Sequence, residues 1–333
     1  MTGSSAAAGG RPAYSPFRRL VVRNGWTIGV YALLGAMLAF TFAIHPTFRA
    51  YDMRSLALGA LPVALAAAAE TVVVLAAGFD LSVGALIAVA NVLAASMMVD
   101  ASFEQSLGIA ALVLAATTAA GFLNGLIIVA SKVPDIVVTL AMSFVWSGVA
   151  LLILSQPGGG APPEFLALAT GTAVSPWIPN ALILLVAVVA VVWLPIRSRP
   201  PGLAIYATGS DAQAATRSGV SVVRARLTAY ALCGLFCGAG GLALTMGTGV
   251  GDPLGGRFFT LAAVATIVLG GVSLAGGRGG MLGPLAAAYV LALIPMNLVF
   301  LGVNPNYGQV IQGVILVIVV MAGGLASLRR SRV

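Results

Sequence analysis

Apolar runs of roughly 20 residues recur along the whole chain, and in helical form each is long enough to cross the ~30 Å hydrocarbon core of a bilayer. They fall at 26–44, 56–78, 83–99, 107–130, 134–154, 178–194, 227–246, 258–274, 281–301 and 309–326. In lipid only helices and closed barrels satisfy every backbone N–H and C=O. The expected fold is therefore an all-α polytopic membrane protein with about ten transmembrane helices. Composition argues against a soluble fold. Of 333 residues, 60% are hydrophobic and 8% charged, too few charges to cover a water-exposed surface of that size.

Charge placement orients the chain. Arg18, Arg19 and Arg23 precede the first run, and Arg329, Arg330 and Arg332 follow the last. Basic segments beside spanning helices stay inside, which puts both termini in the cytoplasm. All seventeen basic residues except Arg49, Arg54 and Arg257 then fall in cytoplasmic segments. This accounts for the net charge of +8 without nucleic acid as a partner. Residues 1–15 are small and polar and are expected to be a disordered cytoplasmic N-terminus, leaving 16–333 as one transmembrane domain. The first apolar run starts too far in for a secretory signal. The proline-rich stretch 155–177 reads as an extracytoplasmic loop with one interfacial helix.

The long polar interruption at 195–227 carries Arg197, Arg199, Arg217, Arg224 and Arg226. Its centre predicts a short helix over 210–218. Ser210 or Asp211 can cap it, Ala212, Ala214 and Ala215 favour it, and Gly219 can end it. A short helix on a cytoplasmic loop is either a docking surface for another protein or a solvated connector.

Two acids stand among the apolar runs. Asp80, in GFDLSVG at 78–84, can cap the helix that follows together with Ser82, next to Gly84, or can touch a solute. Glu70 lies inside a run, and an intramembrane carboxylate is a functional candidate by default. It can also be protonated, or paired with an arginine such as Arg54 or Arg257. Asn91, Asn124, Thr139, Ser143 and Asn297 are further polar side chains in the runs. They suit hydrogen bonds between helices and would equally suit a pathway for a polyhydroxylated solute. Phe144 and Trp146 can stack on a sugar face or simply fill space. A weak repeat relates TVVVLAAGFDLSVG at 71–84 to TIVLGGVSLAGGRG at 266–279. Transporters handle substrate at such repeat interfaces, although glycine-rich composition alone produces similar matches.

Catalysis has little to work with. The one lysine, in ASKVP, lacks the glycines of a phosphate-binding loop. The one histidine is His45, and Cys233 and Cys237 share an apolar helix without further metal ligands. No enzyme, cofactor or metal site is expected.

Four separated motifs resemble one family, the permease subunits of sugar-type ATP-binding-cassette importers (the ribose, xylose, galactose and autoinducer group). GFDLSVG at 78–84 is similar to the family's GGIDLSVG. GFLNG at 121–125 with PDIVVTLAM at 134–142, GSDAQAATRSGV at 209–220 and VLGGVSLAGGRGGMLG at 268–283 follow in the family's order. The resemblance implies an inner-membrane permease that imports a monosaccharide or similar solute as a dimer with itself or a related permease. It also implies separate ATPase subunits and an extracytoplasmic solute-binding protein. Residues 209–220 would be a coupling helix seated on the ATPase, with Gly209, Asp211, Ala214, Ala215, Arg217, Ser218 and Gly219 at the contact. Glu70, Asn91, Asn124, Thr139, Ser143, Phe144 and Asn297 would line the pathway. Ala77 departs from the first glycine of the pair, Asp211 from a frequent asparagine, and Glu70 from a position expected to be neutral. A carboxylate there would suit an amine-bearing ligand. Branched-chain amino-acid or nucleoside permeases of the same superfamily compete, as does a proton-coupled secondary transporter that uses Glu70.

Overall fold

A computed structural model describes residues 16–330, so the expectation for 1–15 lies outside the described residues. All regular elements among the described residues are helical: α1 (Pro16–Ile44), α2 (Ala50–Leu75), α3 (Val83–Met97), α4 (Phe103–Ser131), α5 (Asp135–Ile153) and α6 (Pro163–Thr170). Then α7 (Asn180–Val188) passes through a π turn, Val189–Trp193, into α8 (Leu194–Arg197), followed by α9 (Pro200–Ser210) and α10 (Ala212–Arg217). The chain closes with α11 (Val222–Thr248), α12 (Arg257–Leu269), α13 (Leu282–Phe300) and α14 (Tyr307–Arg330). Seven of the described helical segments are long and apolar enough to cross a membrane: the 25–44 part of α1, α2, α4, α5, α7 with α8, α11 and α13.

The centre is α2, whose residues from Ala60 to Leu75 are all buried. Its alanine run, Ala66 to Ala69, lets neighbouring helices approach closely. Against it lies α11, which uses glycines for the same purpose. A Cβ at Gly234 would strike the Thr117 carbonyl of α4, and one at Gly121 would strike the Tyr230 carbonyl of α11. On the other side α13 carries Pro295, which cannot donate to the carbonyl four residues back. Gln312 of α14 donates its side-chain amide to that Leu291 carbonyl instead, at 3.2 Å.

Two elements are short. With 15 and 13 residues, α3 and α12 are only about 22 and 20 Å long, and non-helical chain completes each. After α2 ends, residues 76–82 fold back along it. Gly78 N donates to Val73 O at 3.0 Å and Asp80 N to Glu70 Oε1 at 3.3 Å. After α11 ends, residues 251–256 run antiparallel to α3. Gly251 sits against Ala95 and Val92, Asp252 N donates to Asn91 Oδ1 at 2.7 Å, and Gly256 reaches Ala88 and Gly84. The first turns of α3 and α12 therefore meet, and Gly84 and Gly256 touch with no room for a Cβ on either. Gly84 N donates to Thr260 Oγ1 at 3.0 Å. The α2–α3 and α11–α12 pairs are thus alike in design and opposite in direction, a relation different from the same-direction repeat read at 71–84 and 266–279.

Sequence expectation and structure differ in the polar loop. The short helix expected over 210–218 is α10, but the unexpected helix α9 precedes it. Pro200 and Pro201 supply the first turn of α9, a position where a missing N–H costs nothing, and Asp211 then restarts the chain as α10.

Candidate functional site

The folded-back segment 76–82 is held by side chains from four helices, which answers where its backbone hydrogen bonds go. Leu81 N donates to Thr139 Oγ1 at 3.1 Å. The Phe79 carbonyl lies 3.2 Å from the Tyr230 hydroxyl, which is also 3.0 Å from Asp135 Oδ2. Asp135 in turn meets Arg226 Nη1 at 3.3 Å, the one ion pair found among the described residues. Asp80 turns the chain into α3: its Oδ1 accepts from Ser82 N at 2.8 Å and from Ser82 Oγ at 2.6 Å. A relay runs outward from there. Asn124 Nδ2 donates to Ser82 Oγ at 2.8 Å, and Trp146 Nε1 donates to Asn124 Oδ1 at 3.1 Å. Glu70, Asp80, Ser82, Asn124 and Thr139 are all buried.

Asn91 forms a second centre, on the 251–256 segment. Its amide donates to Thr245 Oγ1 at 2.8 Å and to the Val250 carbonyl at 3.1 Å, and its oxygen accepts from Asp252 N. Asp252 Oδ1 then accepts from Leu254 N at 2.9 Å, the same two-residue turn that Asp80 makes.

A third centre joins these to the polar loop. The turn after α2 and the turn after α12 touch, with Gly277 N donating to Leu75 O at 3.1 Å. The end of α9 is wedged into them. A Cβ on Gly209 would strike Leu75 O and Gly277 N, and Gly276 lies over Ala77 and the Gly209 carbonyl. The Tyr206 hydroxyl donates to Gly279 O at 3.3 Å, and burial pushes this phenol's pKa above its usual range, with Arg197 opposing. Next along the chain, Asp211 Oδ1 accepts from Gln213 N and Ala214 N, both at 2.9 Å, and starts α10. Gly219 closes α10 at φ +81°, a left-handed conformation that glycine adopts without penalty. Ala215 is buried, while Asp211, Ala214, Arg217, Ser218 and Gly219 are exposed. The arrangement is a presented helix mounted on the joint between the turns that follow α2 and α12.

A family model described as the permease component of a branched-chain amino acid transport system matches residues 53–320, which spans both re-entrant segments and the mounted helix. The chain belongs to this permease family. The permease is 32% identical over 252 residues to the ribose import permease of Bacillus subtilis (strain 168), covering 75% of this chain and 78% of the relative. It is 29% identical to the fructose import permease of Rhizobium meliloti over 283 residues, 82% of this chain and 78% of the relative. An autoinducer 2 import permease of Escherichia coli (strain SMS-3-5) is 26% identical over 322 residues, 94% and 96% of the two chains. No solved structure matches the chain significantly. The permease is thus a multi-pass membrane protein of an import system.

The permease does not gather all of its sequence-flagged polar residues in one place. Glu70, Asn124 and Thr139 join the turn residues Asp80, Ser82 and Gly84 at the first centre. Asn91 belongs to the second. Asn297 stands apart on α13, where its oxygen accepts from Thr41 Oγ1 of α1 at 2.8 Å. On α5, Ser143 donates to the Leu140 carbonyl at 2.6 Å, and Phe144 is 72% exposed. Neither arginine weighed as a partner for Glu70 meets it: Arg54 donates to Thr170 O at 3.3 Å, and Arg257 is exposed at the first residue of α12. Sequence reading passed over Asp135, Tyr230, Thr245, Asp252 and Thr260. Asp252 carried a signal, since GDPLGG repeats the acid-before-a-short-helix pattern of GFDLSVG. Asp135 stands in the PDIVVTLAM motif, and Tyr230, Thr245 and Thr260 bear no motif and matter only through what they touch.

Proposed function

We propose that this permease is the membrane subunit of an ATP-driven importer for a monosaccharide or similar polyhydroxylated solute, and that separate ATPase subunits dock on α10. The carrying observation is the mount of α10, whose stem at Gly209 touches Leu75 and Gly277 at once. Movement of α10 on ATP binding would therefore reach the folded-back segment 76–82 and the turn after α12 without an intermediary. Charge placement supports ten crossings with both termini in the cytoplasm, α3 and α12 each completed by its re-entrant segment. Residues 16–333 then form one transmembrane domain, with 195–227 as the cytoplasmic coupling loop in the plasma membrane of a bacterium. Gly209 and Ala215 anchor the coupling helix, and Asp211, Ala214, Arg217, Ser218 and Gly219 form its exposed contact.

The permease performs no chemistry and holds no cofactor. It works beside a second permease copy or a related permease, and a solute-binding protein delivers the solute from outside. Ser143 and Phe144 face outward on α5 and suit a pathway between two permeases. Glu70, Asn91, Asn124, Thr139 and Asn297 are closed off in this conformation and join the pathway as the re-entrant segments move. The ribose and fructose relatives support the sugar reading, and the family description favours branched-chain amino acids as the second reading. Purification from native membrane in mild detergent tests the assembly. Co-purification of an ATPase and of a binding protein loaded with a sugar is expected, and a loaded amino acid selects the second reading. A homo-oligomer without ATPase refutes both.

A further inference from the structure

Glu70 and Asp80 are neighbouring carboxyls in a part of the permease that water does not reach: Glu70 is 1% exposed and Asp80 wholly buried. Their surroundings are unequal. Asp80 Oδ1 accepts two hydrogen bonds from Ser82, and Oδ2 lies 3.5 Å from Cys233 Sγ. Glu70 receives one long bond, from Asp80 N to Oε1 at 3.3 Å, and its Oε2 has no partner. Among the described residues no cationic side chain meets either. Beside the pair, α11 presents Tyr230, Cys233 and Cys237. Of the other elements against α2, α13 carries Tyr289 and α9 Tyr206, while α12 has only its exposed Arg257 and α6 its exposed Glu164. Helices α3 and α7 have no titratable group. The nearest ion pair, Arg226 with Asp135, is already matched.

Charge counting then decides. A helix N-terminus acts as about half a positive charge, and the N-termini of α3 and α12 meet here through Gly84 and Gly256. Together they offer about one positive charge, enough for one carboxylate. A second carboxylate beside the first, desolvated and facing a like charge, is not sustained.

We infer that Glu70 and Asp80 form an interior binding site for a single proton, carried on Glu70, that locks the re-entrant segment 76–82 onto α2. With the proton in place, Glu70 is a neutral acid, Asp80 is the carboxylate that the two N-termini balance, and the Asp80 N–H bond to Glu70 holds the segment. Without it, two carboxylates repel across that bond and the segment leaves α2. The proton comes from water whenever the junction opens. This site does not depend on what the permease transports.

Infrared spectroscopy of the purified full-length protein, at neutral pH in sodium-free potassium buffer, tests it. The expected result is a carbonyl-stretch band of a protonated carboxyl in a water-free setting, lost in Glu70→Gln. Absence of that band in the wild type overturns the proposal, as does its persistence in Glu70→Gln. A band that vanishes when sodium is added marks a sodium site and also overturns it. Alkaline titration provides a measurement that needs no change at Glu70. In a Cys237→Ala background, N-ethylmaleimide labelling of Cys233, which lies against Asp80, should accelerate in step with loss of the band. Labelling that stays flat while the band disappears refutes the lock.

Discussion

Replacing Gly209 by alanine puts one methyl group where three backbones converge. The new Cβ would lie 2.6 Å from Gly277 N and 2.9 Å from Leu75 C, and closer still to Leu75 O. None of these is the tip of a flexible side chain, so the α9 stem must move away from both turns. Overpacking of this kind costs about 1–3 kcal/mol. Forcing the turns apart also endangers the Gly277 N–Leu75 O bond, which contributes about 0.5–1.5 kcal/mol. The total, roughly 1.5–4.5 kcal/mol, bears on the resting arrangement of the joint and shifts its equilibrium about 10- to 1,600-fold. Gly219→Asn is the matched control. Gly219 is also a glycine of the loop, yet a Cβ there meets nothing within 4 Å, and asparagine tolerates its positive φ. In proteoliposomes containing the ATPase partner, Gly209→Ala should lower the melting midpoint and cut solute uptake more than tenfold, while ATP is still hydrolysed. Gly219→Asn should leave the melting midpoint unchanged. A Gly209→Ala protein with wild-type melting and uptake would refute the argument that α10 acts through this joint.

Other substitutions probe single links. Ala77 sits at φ +57°, where a Cβ costs about 1–2 kcal/mol; Ala77→Gly should therefore raise the melting midpoint slightly, and a fall would show that the Ala77 methyl packs more favourably than its strain costs. Asp211→Ala removes the acceptor for two N–H groups of α10, worth about 1 kcal/mol, and should weaken ATPase association measured by pull-down without reducing membrane insertion. Asn124→Leu leaves the Trp146 indole N–H and the Ser82 hydroxyl short of partners, at a cost of about 1–3 kcal/mol; thermal unfolding should register the loss, and an unaltered midpoint would show the relay to be dispensable.

Much of this architecture is readable from the sequence because it rests on local pattern. Apolar runs of bilayer length, arginines at their ends, and the short helix ending at Gly219 each follow from a few neighbouring residues. The four motifs carried the family because they stand in order along the chain. Asp80 was recognisable as a turn residue for the same reason, since its partner Ser82 is two positions away. The partners of Asn91 were not, because Thr245 is 154 residues distant and nothing about a threonine in an apolar run distinguishes it.

The depth at which helices begin and end was also hidden. Apolarity reads alike for a full crossing and for a half-helix with an extended tail, since surrounding protein replaces lipid around both. On their own, the residues of this chain determined that it enters the membrane and which short helix stands in the polar loop. Only tertiary packing decided that α3 and α12 meet at Gly84 and Gly256, that Glu70 lies against Asp80 with no cation, and that α10 stands on the joint of two turns. Those contacts rest on backbone close approaches and unpaired polar atoms, most of them between residues far apart in sequence, and neither leaves a periodic trace in the order of amino acids.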